Sequence, residues 1–321
     1  MKIVLIGSVI FSRRMLNVLV REAPALNGIK TVAVFGIPPG HSRNISDYAN
    51  LEGPARRAGI PYYPFHKIDS PEVLSRFAKL KPDCTFVLGL SQLLPPGLLK
   101  LTGLTIGTHP SLLPDGRGRA AIPWSILLGW KRSGISFFGI TEGIDEGLIH
   151  EQEPWDIGPR DDATVLYSKM CRAGEAALKR LLKSAASGGL IGRPQGKPQI
   201  GPLARRTPAD GRIDWPCADA VAIDRLIRAT ARPYPGAFTE LAGRKVIFRK
   251  SGGVKTFWNS HVPRDSSHSE SGTILYAGKG ELIVSAGLSA LSITEVEIPS
   301  VARLGARCDL SSVFVPGQHF T

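Results

Sequence analysis

Two residues in this chain could carry acid–base chemistry if the fold brings them together. His109 closes the stretch Ile106-Gly107-Thr108-His109-Pro110. Apolar residues run without alternation over positions 84–88 and 104–106, the pattern of strands buried on both faces of a parallel sheet. The residue before a proline avoids the α region, so His109 cannot open a helix and belongs at a strand's carboxyl end. That edge of an open α/β sheet is where ligands bind. Asp145 stands in Glu142-Gly143-Ile144-Asp145-Glu146-Gly147, a glycine-flanked turn after a second strand-like run over 134–141. The expectation is an imidazole and a carboxylate on neighbouring strand ends. The carboxylate would orient the ring and favour its charged form, the arrangement of a proton-transferring pair.

The elements that must position this pair follow an alternating β/α order. Residues 2–7 read as the first strand, followed by a helix over 13–22 with Ser8 as its cap and Met15, Leu16 and Leu19 on one face. Strands at 31–35 and 62–64 follow, with a helix expected between them over 48–58. Ser70-Pro71-Glu72 opens a further helix, with a capping hydroxyl and a proline at its first position. Residues 121–128 and 163–183 read as helices, the second repeating Leu166, Met170, Ala173, Ala177 and Leu181 along one side. The pattern is α/β: a Rossmann-like, mostly parallel sheet with helices on both faces. Residues 191–204 are Pro/Gly-rich, polar and aperiodic, the composition of a linker. After a helix at 218–231, short alternating strands with glycine turns predict a small β domain. The expected division is a domain over 1–190, a linker over 191–204 and a second domain over 205–321.

His109-Pro110-Ser111-Leu112-Leu113-Pro114, followed by Arg117-Gly118-Arg119, resembles the signature of the folate-dependent formyltransferases. Arg205-Arg206-Thr207-Pro208, Ile213-Asp214-Trp215 and Pro233-Tyr234-Pro235-Gly236-Ala237-Phe238 resemble the second half of the family's long members. Together these motifs cover nearly the whole chain. The resemblance implies an OB-like C-terminal β-barrel and N10-formyltetrahydrofolate as co-substrate, with no metal. It implies His109 as proton shuttle and Asp145 as its tuning carboxylate. Gln92, Leu93 and Leu94, with Thr141, Glu142, Gly143, Ile144 and Asp145, would bind the folate, largely through backbone groups. Ser111, Arg117 and Arg119 would contact the acceptor. The motifs sit nearest the members that formylate the amino sugar nucleotide UDP-4-amino-4-deoxy-L-arabinose, so an amine on a nucleotide-linked sugar is the expected acceptor. Methionyl-tRNA is the alternative.

One position departs from the family. Gly107 stands where the family has an asparagine that donates to the formyl oxygen as charge develops on it. Losing such a donor typically costs ~10²–10³ in rate. A widened pocket with water in place of the amide is one reading. Compensation by His109, Thr108 or backbone N–H groups is another. A hydrolase that releases formate, or a non-catalytic folate- or nucleotide-binding protein, also follows from the lost donor.

Composition narrows the classes. The 321 residues exceed most single cores. The net charge of +13 suits polyanionic partners, among them RNA, sugar nucleotides and folate carboxylates. The first βα turn lacks GxGxxG, which argues against a dinucleotide enzyme. Four scattered cysteines without a CxxC read as reduced thiols. The apolar runs fall short of ~20 residues, and no signal peptide is apparent, so a cytoplasmic enzyme without membrane contact is expected, with a homodimer a common outcome for such enzymes. The polar stretch 251–271, with His261 and His268, reads as a loop.

Overall fold

The computed structural model describes residues 1–43, 45–90, 92–256, 269–299, 301–305 and 308–321, without the side chain at position 302. His261 and His268 lie outside the described residues. The chain divides into two compact units. One comprises Met1–Ala121, Arg132–Asp156 and Ser168–Ala204; the other comprises Ile122–Lys131, Ile157–Tyr167 and Arg205–Thr321. The segments 122–131 and 157–167, expected within the N-terminal domain, thus cluster with the C-terminal unit.

The first unit is built on a seven-stranded sheet in the order β3-β2-β1-β4-β5-β6-β7. Its strands are β1 (Lys2–Ile6), β2 (Lys30–Gly36), β3 (Tyr62–Pro64), β4 (Cys84–Val87), β5 (Leu104–His109), β6 (Arg132–Gly139) and β7 (Ile149–Asp156). The first five are parallel, whereas β6 runs antiparallel to β5 and β7 antiparallel to β6. β7 carries His150, Glu151, Gln152 and Glu153, too polar to read as a strand by hydrophobic pattern, because it lies at the sheet's edge.

Alternation along β1 divides its side chains between two layers. Val4 and Ile6 pack with Phe35, with Phe77 of α3 (Pro71–Leu80) and with Leu98 of α4 (Pro96–Leu99). On the other face lies α1 (Ile10–Glu22), where Phe11 closes on Gly174 of the long helix α6 (Ala163–Ser187). A methyl group at Gly174 would sit 2.5 Å from the Phe11 ring and 3.5 Å from Ile135 of β6, so glycine is required for this helix–helix–sheet contact.

Two local expectations change. Ser8 does not cap α1; its hydroxyl accepts from Ile37 N at 2.8 Å, tying the ends of β1 and β2. The cap is Val9, and Ser12 inside the helix accepts from the backbone N–H groups of Ser8 and Val9 at 3.1 and 3.2 Å. The helix expected over 48–58 shortens to α2 (Glu52–Arg57), because the backbone at 47–49 pairs with that at 8–10: Ile10 N donates to Asp47 O and Ala49 N to Ser8 O, each at 2.9 Å.

The second unit contains α5 (Ala121–Leu127, all but its first residue), α7 (Ala220–Ala229) and an antiparallel sheet in the order β10-β11-β12-β9-β8, with β13 added on β12. The strands are β8 (Ala237–Leu241), β9 (Arg244–Lys255), β10 (Ile274–Gly278), β11 (Glu281–Ala286), β12 (Ser289–Ile298) and β13 (Ala302–Leu304). Register shifts between β12 and β9 bend the sheet over one core. In it Trp215 stacks on Phe320 at 6.0 Å and Phe320 meets Phe248 edge-on at 5.4 Å. The architecture is the expected α/β sheet domain followed by a separate C-terminal antiparallel β domain.

Candidate active site

β5 ends at His109, which is 5% exposed. Its Nε2 lies 2.7 Å from the carbonyl oxygen of Gly116. A carbonyl only accepts, so Nε2 carries the proton and Nδ1 presents its lone pair in the neutral ring. That nitrogen faces Asp145 Oδ2 at 3.4 Å. Burial lowers the His109 pKa from its usual 6.5, and outweighs the opposing pull of Asp145 and of the Gly116 bond. The resting ring is therefore a neutral base at neutral pH, beside a carboxylate that stabilises the imidazolium once a proton arrives.

The route by which Asp145 reaches His109 differs from the expectation of neighbouring strand ends. β6 runs antiparallel to β5, so its last residue, Gly139, pairs with Ile106 and not with His109. The loop beyond must double back. Its base is pinched shut: Gly139 N donates to Leu148 O at 2.8 Å, and a Cβ at Gly147 would come 1.7 Å from Gly139 O. At its tip Asp145 takes a left-handed conformation, φ +53°, and its carboxylate accepts from Gly118 N at 3.0 Å. Gly118 itself needs φ +101°, and its Cα approaches the chain at Leu203 too closely for a side chain.

The loop 110–119 is stapled internally. Ser111 is buried, and its hydroxyl donates to Asp115 O at 2.6 Å; it shapes the loop instead of facing an acceptor as expected. Ser136 of β6 donates to Ser111 O at 2.7 Å and accepts from Leu113 N at 3.0 Å. Gln152 of β7 donates to Leu113 O at 3.0 Å and to Ser136 Oγ at 2.7 Å. Arg117, also expected to contact acceptor, is turned inward: Nε and Nη2 donate to Gln195 Oε1 at 3.2 and 2.7 Å, and Nη1 lies 3.6 Å from Glu146 Oε1. Arg119 is the exposed arginine of the pair.

Residues 191–204, read as a linker, are bound along the first unit. Arg193 pairs with Ile149 through reciprocal 2.8 Å backbone bonds. Gln199 N and Ile200 N donate to Asp115 Oδ1 at 2.6 and 3.0 Å, and Leu203 pairs with Gly118. Their lack of periodicity reflects a segment held by main-chain hydrogen bonds, which leave no hydrophobic pattern.

The residues expected to bind folate fall on two adjacent loops. Leu94 and Leu90, after β4, share an apolar cluster with Ile140, which begins the loop after β6. Beyond these, Leu93 is 83% exposed and Ile144 71% exposed, two large apolar side chains held in solvent, while Thr141, Glu142 and Gly143 are exposed beside them. A flat, partly apolar ring is the kind of ligand that such a surface would cover. Gln92 stabilises the loop after β3, its Oε1 accepting from Ile68 N at 2.9 Å and its Nε2 donating to His66 O at 2.8 Å.

Gly107 does not open a pocket. A Cβ there would lie 2.9 and 3.0 Å from Ile140 Cδ1 and Cγ1 and 3.6 Å from the Phe138 ring. The space an asparagine amide would take is filled by the isoleucine. Thr108 cannot replace that amide either, because strand alternation sends its side chain to the sheet face opposite His109 and Gly107. Gln195 and Ile140 were not singled out from sequence. Gln195 lies in an aperiodic stretch and Ile140 in an ordinary apolar run, so neither position carries a local signal.

The family profile described as "Formyl transferase" matches residues 19–182, and "Formyl transferase, C-terminal domain" matches residues 205–308. The chain is 31% identical to a methionyl-tRNA formyltransferase of Nitrosomonas europaea over 322 aligned residues, 100% of this chain and 96% of that one. Among solved structures, an N-formyltransferase of Helicobacter canadensis in complex with folinic acid and dTDP-3-aminofucose has a TM-score of 0.64 at 16% identity, over 92% of this chain and 100% of that one. HypX of Aquifex aeolicus in complex with tetrahydrofolic acid also gives 0.64 at 16% identity, over 97% of this chain, which spans only 46% of HypX. With both profiles in chain order and a relative aligned over 96% of its length, the chain belongs to the formyl transferase family.

Proposed function

We propose that the chain transfers the formyl group of N10-formyltetrahydrofolate to the amino group of methionyl-tRNA, with His109 as the proton acceptor and Asp145 as the carboxylate that stabilises it. The observation that carries the chemistry is the buried Nδ1 lone pair facing Asp145 Oδ2 at 3.4 Å. The bound donor supplies an activated carbonyl carbon. An amine that attacks it forms the new C–N bond and must shed a proton; the neutral imidazole takes that proton at Nδ1, where the charge that forms lies against the carboxylate, and returns it to the folate N10 as the C–N10 bond breaks and tetrahydrofolate leaves. The Gly116 carbonyl holds Nε2–H and keeps the ring in the tautomer that leaves Nδ1 free to accept.

Support for a tRNA acceptor comes from the end-to-end identity with methionyl-tRNA formyltransferase and from the net charge of +13. The amino-sugar nucleotide acceptor read from the sequence is the second reading. It is favoured by the likeness to an N-formyltransferase solved with dTDP-3-aminofucose, over that enzyme's full length. It is weakened by the inward engagement of Arg117 and Ser111.

Purified enzyme with N10-formyltetrahydrofolate should formylate methionyl-tRNA far faster than UDP- or dTDP-linked amino sugars. Formylation of the sugars alone moves the assignment to the second reading, and formate release without any acceptor overturns transfer. His109→Ala should abolish turnover and Asp145→Asn should reduce it by several orders of magnitude, both with donor binding retained. Wild-type turnover in either variant removes the catalytic assignment.

A further inference from the structure

We propose that Gln195 is the positioning residue of the His109–Asp145 pair, holding the Asp145 turn from its backbone side. The Gln195 amide joins three pieces of chain that are remote in sequence. Its Nε2 donates to Asp145 O and to Gly147 O, each at 2.8 Å. Its Oε1 accepts from Arg117 Nε and Nη2 at 3.2 and 2.7 Å. The orientation is unambiguous. Guanidinium nitrogens only donate and carbonyl oxygens only accept, so a flipped amide would lose every one of these bonds.

Asp145 needs such support. It is a non-glycine residue at φ +53°, a conformation that persists only when its surroundings over-determine it. Three groups do so here. Gln195 fixes its carbonyl, Gly118 N fixes its carboxylate at 3.0 Å, and Gly147 closes the loop behind it. Through Arg117, the residue before Gly118, the same amide also governs the segment that donates to the carboxylate. Leu203 N donates to Arg117 O at 2.7 Å, and Leu203 O accepts from Arg119 N at 3.1 Å, so the 193–203 strap brackets that segment from both ends. Asp145 is the ionisable group against the imidazole, with Arg117 and Glu146 next beyond it.

The inference rests on His109 and Asp145 acting as a pair, but its test does not need the acceptor. The His109 imidazole is titrated by NMR in the ligand-free full chain, in wild type, Gln195→Met and Gln199→Ala. Methionine keeps the length and volume of glutamine without its donors and acceptor. Gln199, whose side chain is exposed on the same strap, is the control. If Gln195 places the carboxylate, Gln195→Met withdraws the attraction that favours imidazolium, and the His109 pKa falls by about half a unit or more. Gln199→Ala leaves it in place. A His109 titration unchanged in Gln195→Met overturns the proposal. A rise toward 6.5 also overturns it, because that is the signature of a loosened, wetter site with Asp145 still in place. Should Gln195→Met fail to fold, Arg117→Lys serves instead. It keeps the charge, removes the two-pronged grip on Oε1, and is expected to shift His109 in the same direction; no downward shift in that variant is equally fatal.

Discussion

His109 presents its two nitrogens to different partners. A backbone carbonyl at one nitrogen settles where the proton sits, and a carboxylate at the other decides what happens when a second proton arrives. Its lowered pKa has a kinetic consequence. The acid limb of kcat/KM should lie below 6.5, and Asp145→Asn should move it lower still, because the charge that favours imidazolium is gone. A limb above 6.5, measured with saturating donor, would exclude His109 as the titrating base. Gly107 makes a second residue-scale prediction. An asparagine there meets Ile140, so Gly107→Asn alone should overpack the strand, at about 1–3 kcal/mol. Gly107→Asn with Ile140→Ala makes room for the amide. If an oxyanion donor is what the site lacks, the pair should exceed the single variant by ~10² in turnover. Equal rates in the two would show that the oxyanion is already stabilised elsewhere.

At the scale of elements, the loop after β6 is the part that carries Asp145 to His109. β6 delivers the chain to the wrong place, beside Ile106, and the doubled-back loop corrects this by folding over His109. That fold is possible only if the backbone at Gly147 can lie against Gly139. Gly147→Ala should therefore cost about 2 kcal/mol or more in denaturant unfolding and also depress turnover, since the base of the loop is forced apart. A variant of wild-type stability and rate would show that the pinch is dispensable. In the C-terminal unit, Phe320→Ala removes the ring shared by Trp215, Phe248 and Phe314. A loss of about 3–5 kcal/mol is expected, read as earlier unfolding of that unit by Trp215 fluorescence.

For the whole molecule, charge and protonation set the conditions of use. If the acceptor is tRNA, the excess of cations makes association depend on counterion release. Affinity should then fall by ~10³ or more between about 50 and about 200 mM salt. An affinity that barely changes excludes that acceptor. His109 and His150 both hold folded-state values below 6.5, each because burial disfavours the charged ring. Between those values and 6.5 the unfolded chain binds more protons than the folded one. Their contribution to stability is complete above 6.5 and is lost as pH falls below it. Urea midpoints should decline from pH 7.5 toward pH 5.5, with His150→Phe reducing the decline. Among the described residues, no helix is long and apolar enough to cross a membrane.

The division between what the residues announce and what the fold decides follows from the range of the forces involved. Continuous apolar runs, a histidine before proline, a proline after a capping serine and a 3.6-residue apolar stripe are local signals. They were enough to locate β1, β4, β5, α3 and α6, to divide the molecule into a parallel α/β sheet and a β domain, and to single out His109 and Asp145. Edge strand β7 escaped because solvent takes the place of a hydrophobic partner, and the 193–203 strap escaped because backbone hydrogen bonds impose no side-chain pattern. The antiparallel turn of β6, the filling of the Gly107 space by Ile140 and the grip of Gln195 on the Asp145 turn are contacts between residues distant in sequence. Such contacts exist only once the chain has closed on itself, so the sequence determined which groups could do the chemistry, and the tertiary structure decided how they are held and which neighbours they are given.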